Sequence, residues 1–298
     1  MRARSWTVAA GVAAGALALG GCVIDVEGYE AVEAEEHVFA VDGVPDVDLS
    51  TFDGRIEVRG WDRSEVRVVV EKRAANRERL EEIEIEIEQS GDRVRVAAQR
   101  RDADGLRVTL SLGSNWRGAR LIASVPHESN LHARTDDGRI TVTDVSGTIE
   151  VSTDDGRIRG AGLHGSVRAR TDDGSVRLQE IDGDVAVHTE DGSIHVSGVL
   201  AGLEASTDDG RIAIGAAPGS AMSGDWELHA EDGRVTVDLP HDFSALLDLA
   251  TGDGRIRVDD RFGGNAERGA EALRRVIGGG GFALRVRTDD GSIRVGTS

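Results

Sequence analysis

The 298-residue chain carries 54 acidic against 35 basic side chains, a formal net charge of −19, and only 3% of its residues are aromatic. That surplus of negative charge argues against nucleic acid as a partner, because phosphate contacts need a basic surface. So few aromatics argue against stacking platforms for bases or sugars, and the single cysteine, Cys22, excludes an internal disulfide framework.

Residues 1–21 begin with Arg2 and Arg4, run through an apolar stretch from Trp6 to Leu19 and end in small residues. This is the layout of a secretory signal peptide, and the stretch is too short and too rich in Ala and Gly for a good transmembrane helix. Leu19-Gly20-Gly21-Cys22 resembles the bacterial lipobox, which implies lipidation of Cys22 as the first mature residue and a membrane partner through that anchor. Val23, not Asp, follows the cysteine. By the same resemblance, this points to the outer membrane or cell surface over the inner membrane. Cleavage there leaves 33 basic and 54 acidic side chains, a net charge of −21. Repulsion from anionic headgroups then leaves the attachment to the lipid. Residues 22–36 read as an acidic lipidated tether ahead of one body, 37–298.

From His37 onward apolar and polar residues alternate, as in Val47/Leu49, Ile56/Val58 and Val66/Val68/Val70, so strands are expected. Residues 74–81 predict a short helix. Ile83-Glu84-Ile85-Glu86-Ile87-Glu88 predicts a strand with one apolar and one solvated acidic face, and further strands are expected over Arg93–Ala97, Leu106–Leu112 and Ala119–Val125.

The phrase Thr-Asp-Asp-Gly-Arg/Ser-Ile/Val then organises the chain. With its near variants it occurs nine times, at Gly54, Gly138, Gly156, Gly174, Gly192, Gly210, Gly233, Gly254 and Gly291, and from Gly138 to Gly210 the step is 18 residues four times running. A fixed short period means a stacked array in which one unit cannot bury its apolar face alone. In one rung Ile140 and Val142 share a face, Val145 follows a bend, and Ile149, Val151 and Thr153 share the next inward face; Asp155-Gly156 then turns the chain. Asp can cap such a turn through its side chain, and Gly accepts positive φ.

Two short strands and two turns per 18 residues predict an all-β, single-stranded β-solenoid, right-handed because parallel crossovers generally are. Residues 37–130 form irregular rungs, 131–258 regular rungs, and 259–298 an excursion with a helix over Glu267–Ile277, then a terminal rung over Phe282–Val286 and Ser292–Val295. Propeller blades need a longer period, and the hexapeptide helix needs apolar residues every six positions.

The Val125-Pro126 step into the repeats, the late Gly-rich excursion Gly278–Gly281 and the closing Arg287-Thr-Asp-Asp-Gly-Ser-Ile-Arg-Val295 resemble the bacterial β-strand-repeat "putative adhesin" family. That is a domain of unknown function related to the auto-transporter adhesin head domain. The resemblance covers roughly 37–298. It implies an envelope location with adhesion or envelope-stress roles, and supplies no catalytic residues.

The residues themselves assign no catalytic, cofactor-binding or metal-ligating side chain. The acidic ladder Asp136, Asp154, Asp172, Glu190, Asp208 beside Asp137, Asp155, Asp173, Asp191, Asp209 invites a cation. However, the Gly-Gly-x-Gly-x-Asp pattern of calcium β-rolls is absent, and Arg139, Arg157, Arg211, Arg134 and Arg170 flank the ladder. Turn caps paired with arginine are therefore expected, with a calcium β-roll as an alternative. Thr135, Thr153, Thr171, Thr189 and Thr207 read as a packed or hydrogen-bonded corner. His127-Glu128-Ser-Asn-Leu-His132 is one residue too long for a zinc-protease motif, and His188 and His195 read as surface. The resulting expectation is a non-catalytic envelope lipoprotein without cofactor, presenting an acidic solenoid to an envelope protein or cell-wall polymer, its oligomeric state open. A carbohydrate-active β-helix enzyme is the other alternative.

Overall fold

The computed structural model describes residues 19–26, 30–101, 116–264 and 270–298. The expected strand Leu106–Leu112 lies outside the described residues, as do residues 1–18 of the leader. Nearly all of the rest is strand, joined in one open sheet.

The spine of the molecule is a parallel stack. β3 (Asp46–Trp61) pairs with β8 (Asn130–Thr143), which pairs with β9 (Ser146–Ala216), a bent extended run that winds through several rungs. β9 pairs in turn with β10 (Trp226–Leu239). The repeated phrases lie in register: Gly54 opposes Gly138, Gly138 opposes Gly156, and Gly233 opposes Gly210. Between β8 and β9 each partner is 18 residues on, as in Leu131 with Ile149. Period-2 alternation puts Ile140, Ile158, Val176, Ile194, Ile212 and Val235 at equivalent inward positions, all fully buried. They form one continuous core with the inward residues of the opposite strands, such as Val151 and Val187.

Two interactions lock the corner of each rung. The buried threonines donate their hydroxyls to carbonyls of the preceding rung: Thr153 to Asp136 at 3.1 Å, Thr171 to Asp154 at 3.3 Å, Thr189 to Asp172 at 3.2 Å and Thr207 to Glu190 at 3.3 Å. The glycines stack backbone on backbone. A Cβ on Gly156, Gly174, Gly192 or Gly210 would lie 1.6–1.9 Å from the carbonyl oxygen of the glycine below. Close approach, more than the positive φ expected from the sequence, is what demands glycine here: Gly54, Gly138 and Gly233 have positive φ, but these four do not. The expected Asp caps are also replaced. Among the described residues, none of the carboxylates of Asp137, Asp155, Asp173, Asp191 and Asp209 accepts a hydrogen bond, and the Thr hydroxyls tie the corner instead.

The ends depart from chain order. β14 (Ala283–Asp290) and β15 (Ile293–Thr297), last in sequence, slot between β10 on one side and β11 (Ala245–Asp253) with β12 (Ile256–Val258) on the other. The helix expected over Glu267–Ile277 is not formed by its described part: Ala272–Ile277 is strand β13, antiparallel to β11. Leu273 and Ile277, both buried, are four apart. That spacing suits one face of a helix or of a strand, and the open hydrogen-bonding edge of β11 selects the strand.

At the other end, residues 46–51 of β3 meet β6 (Arg93–Arg100), hairpin partner of β5 (Ile83–Ser90), while residues 56–61 meet β7 (Arg117–Pro126). β4 (Glu65–Ala74), β2 (Glu30–Ala40) and β1 (Leu19–Val26) extend that edge antiparallel. The four-residue helix α1 (Arg77–Leu80) lies within the expected 74–81, capped by Asn76. The tether expected over 22–36 is a strand from Glu30: its acids engage β4, with Glu33 2.7 Å from Lys72 and Glu36 bonded to Arg67. Those carboxylates are cross-strand partners of basic residues, so they do not solvate a free linker.

Candidate functional site

The turn corner produces a groove of about 900 Å³. Its floor is the glycine column, Gly54, Gly138, Gly156, Gly174 and Gly192, where no side chain stands above the backbone. Arg55, Arg139 and Arg157 rise on one side in register, one per rung, because each follows its glycine. Trp116, Arg117 and Arg120 close the near end, and Asp53, Asp173 and Asp191 form the other lip. Trp116 is the one exposed member of the three tryptophans outside the leader: Trp226 is buried, donating to the Ala201 carbonyl at 2.8 Å, and Trp61 donates to the Glu65 carbonyl at 2.9 Å.

The groove's charges are perturbed by one another. Burial and the neighbouring guanidinium groups of Arg159, Arg55 and Arg157 push Arg139 below the usual arginine range. Burial, then the carboxylate of Asp137 on the next rung, raises Asp53. Arg120 is held up chiefly by its hydrogen bonds to Glu57, at 3.0 and 3.1 Å. Burial and then Arg177 lower His195 on the same wall.

The opposite wall bears a smaller groove of about 560 Å³, lined by His132, Arg134, Glu150, Arg168, Arg170 and His188 among others. Its charges are paired. Arg134 lies 3.1 Å from Asp154, Arg168 3.5 Å from Glu150, Arg170 3.6 Å from Asp172, and His132 3.3 Å from Glu150. The outer acidic ladder thus has arginine partners in Arg134 and Arg170. Arg139 and Arg157, expected to share that task, form no ion pair among the described residues.

The other sequence candidates disperse. His127 bonds the Asp144 carbonyl at 2.8 Å while His132 faces Glu150, so the two imidazoles do not converge. His188 contacts the Ser206 hydroxyl at 2.8 Å. Glu84, Glu86 and Glu88 are exposed on β5. Among the described residues no group of three or more His, Cys, Asp or Glu is placed to hold a metal ion, and no helix is long and apolar enough to cross a membrane. Cys22 lies within β1, its backbone paired with Ala34.

Sequence reasoning missed the segregation of charge by column. A signal was present: the residues one and three after each glycine include Arg139, Arg157, Arg159, Arg177 and Arg211, and only Glu57 among the first six rungs is acidic.

Among solved structures, the chain is similar to a "putative adhesin" from Bacteroides fragilis NCTC 9343, with 11% identity, 88% of this chain and 96% of that one covered, and a TM-score of 0.42. It is also similar to a "putative cell adhesion protein" from Clostridium sporogenes ATCC 15579, with 12% identity, 89% and 100% covered, and a TM-score of 0.26. A third is a "putative lipid binding protein" from Parabacteroides distasonis ATCC 8503, with 10% identity, 88% and 96% covered, and a TM-score of 0.24. No curated protein matches the chain significantly. The family model described as Toastrack DUF4097 matches residues 46–296, from the first in-register rung to the last, and the chain therefore belongs to the Toastrack family, a domain of unknown function.

Proposed function

We propose that the protein is a non-catalytic, adhesin-like lipoprotein of the cell envelope, anchored by lipid on Cys22 and presenting the walls of its stack to an envelope partner. The observation behind this reading is the stack itself. Repeated corners in register build a long, stiff surface of recurring side chains, whereas catalysis draws on a singular cluster of unlike groups. We read the stack as a right-handed solenoid of about 18 residues per coil, the hand that parallel crossovers favour. Anchoring fits the lipobox-like Leu19-Gly20-Gly21-Cys22, and Val23 fits the outer membrane or cell surface. With β1 in the sheet, the anchor would sit close to the β2–β4 end of the body.

The test is metabolic palmitate labelling with fractionation. Wild type takes label and sediments with membranes, and Cys22→Ser loses both. An unlabelled wild type, or a Ser variant still in the membrane fraction, overturns the anchor. Incubating the purified protein with envelope polysaccharides checks the non-catalytic part: new reducing ends would favour the carbohydrate-active alternative.

A further inference from the structure

The outward residues of the strand that follows each glycine turn form a wall unlike the rest of this acidic protein. From the Gly54 rung to the Gly210 rung it presents Arg55, Arg139, Arg157, Arg159, Arg177 and Arg211 with one carboxylate, Glu57. The Gly54 and Gly210 rungs are five steps apart, about 24 Å at the spacing of hydrogen-bonded strands. On the opposite wall the arginines are neutralised by ion pairs. Here Arg139, Arg157, Arg159, Arg177 and Arg211 form none among the described residues. Arg139 Nε is buried without a hydrogen-bond partner, and its guanidinium stands among Arg159, Arg55 and Arg157, whose combined effect outweighs that of Glu57. Arg55 pairs with Glu57 at 3.3 Å, but that one carboxylate cannot neutralise six arginines, which repel one another, so a bound anion would remove a cost already present in the free protein.

We infer that this wall, with the glycine-floored groove beside it, binds an extended polymer bearing repeated phosphate or carboxylate groups. Three features select that class. The arginines are spread over the Gly54, Gly138, Gly156, Gly174 and Gly210 rungs, with Ser193 and His195 on the Gly192 rung between them, so one small anion would engage only a fraction of them. The bare glycine floor lets a thin chain lie against the backbone between the arginine column and the aspartate lip. That lip, with Asp53, Asp173 and Asp191, opposes a flat anionic bilayer that must cover both sides of the groove, whereas a thin chain can follow the arginine side and leave the aspartates across the glycine floor. The net charge of −21 does not oppose this, because binding reads the local field and not the sum over the molecule. The inference rests on the reading of the stack as a presenting surface and gives that surface a ligand class.

The experiment uses the purified full chain and follows Trp116, which borders the groove, by fluorescence during titration with linear inorganic polyphosphate at low salt. Saturable binding is expected, weakening steeply as salt rises. The double variant Arg139→Gln/Arg157→Gln should bind about tenfold more weakly, with a salt slope smaller by about two. Arg134→Gln, on the paired wall, should change binding less than about twofold. Circular dichroism confirms that the variants fold. Parallel arms use inorganic phosphate at equal phosphorus concentration and phosphatidylglycerol–phosphatidylcholine vesicles. No polyphosphate binding at low salt, an Arg134→Gln loss equal to that of the double variant, equal affinity for inorganic phosphate, or binding to vesicles alone would each overturn the inference. Since none of these readouts depends on Cys22, they are separable from failure of the envelope-anchor reading.

Discussion

The hydroxyl of Thr171 donates to the carbonyl of Asp154, 17 residues earlier and one rung below, at 3.3 Å. Thr171 is fully buried, so the bond forms where water cannot replace it. Thr171→Val keeps the shape and removes the donor, and should cost about 1 kcal/mol in urea unfolding. An unchanged or higher midpoint would mean that the threonine column only fills space.

The glycine stack predicts a larger effect. A Cβ on Gly174 would lie 1.6 Å from the carbonyl oxygen of Gly156, and backbone on both sides cannot retreat. Gly174→Ala should destabilise by at least about 2 kcal/mol or prevent folding. Gly224→Ala meets nothing within 4 Å and serves as the control, expected within about 0.5 kcal/mol of wild type. Equal losses at the two positions would disprove close stacking as the reason for the glycine column.

Asp53 yields a pH-dependent prediction. Burial and then Asp137 raise its pKa, so the folded state holds this proton more tightly than the unfolded state does. The contribution therefore favours folding at low pH and is lost as pH rises from the ordinary carboxylate value through the raised one. Asp53→Asn should be more stable than wild type at about pH 7, and the difference should vanish near pH 3, where both forms are neutral. Urea midpoints across that range check the sign; a variant less stable at neutral pH would contradict it.

The acidic ladder should not depend on a divalent ion. Each corner brings two adjacent carboxylates, while Ca²⁺ seeks six to eight oxygens, and Arg134 already lies 3.1 Å from Asp154. EDTA should leave the thermal midpoint unchanged. Asp154→Asn, losing a half-exposed pair, should cost under about 1 kcal/mol. Micromolar Ca²⁺ sites in calorimetry, with unfolding on chelation, would restore the calcium β-roll.

Much of the fold was legible because the local code is redundant. Apolar residues two apart before and after each Asp-Gly mark two strands and a turn, and the repeated phrase gives the register directly: Gly54, Gly138 and Gly156 align in space as they do in the text. The core positions Ile158 and Val187 follow from the same alternation. The corner was read correctly as a place for Thr and Gly but with incomplete reasons, since positive φ is a property of one residue and close stacking is a property of two rungs.

Chain composition and period by themselves determined that this protein is a stack of short strands with an acidic total charge. Tertiary structure alone decided the order of the rungs. Nine nearly identical phrases can each stack on any other, so nothing local tells Gly291 to lie between Gly233 and Gly254. Tertiary structure also decided that residues 272–277 complete a sheet edge, and that the arginines following the turns share one wall with little acid. Those outcomes depend on which backbone edges remain open and which columns come together, and these are relations between residues far apart in the chain.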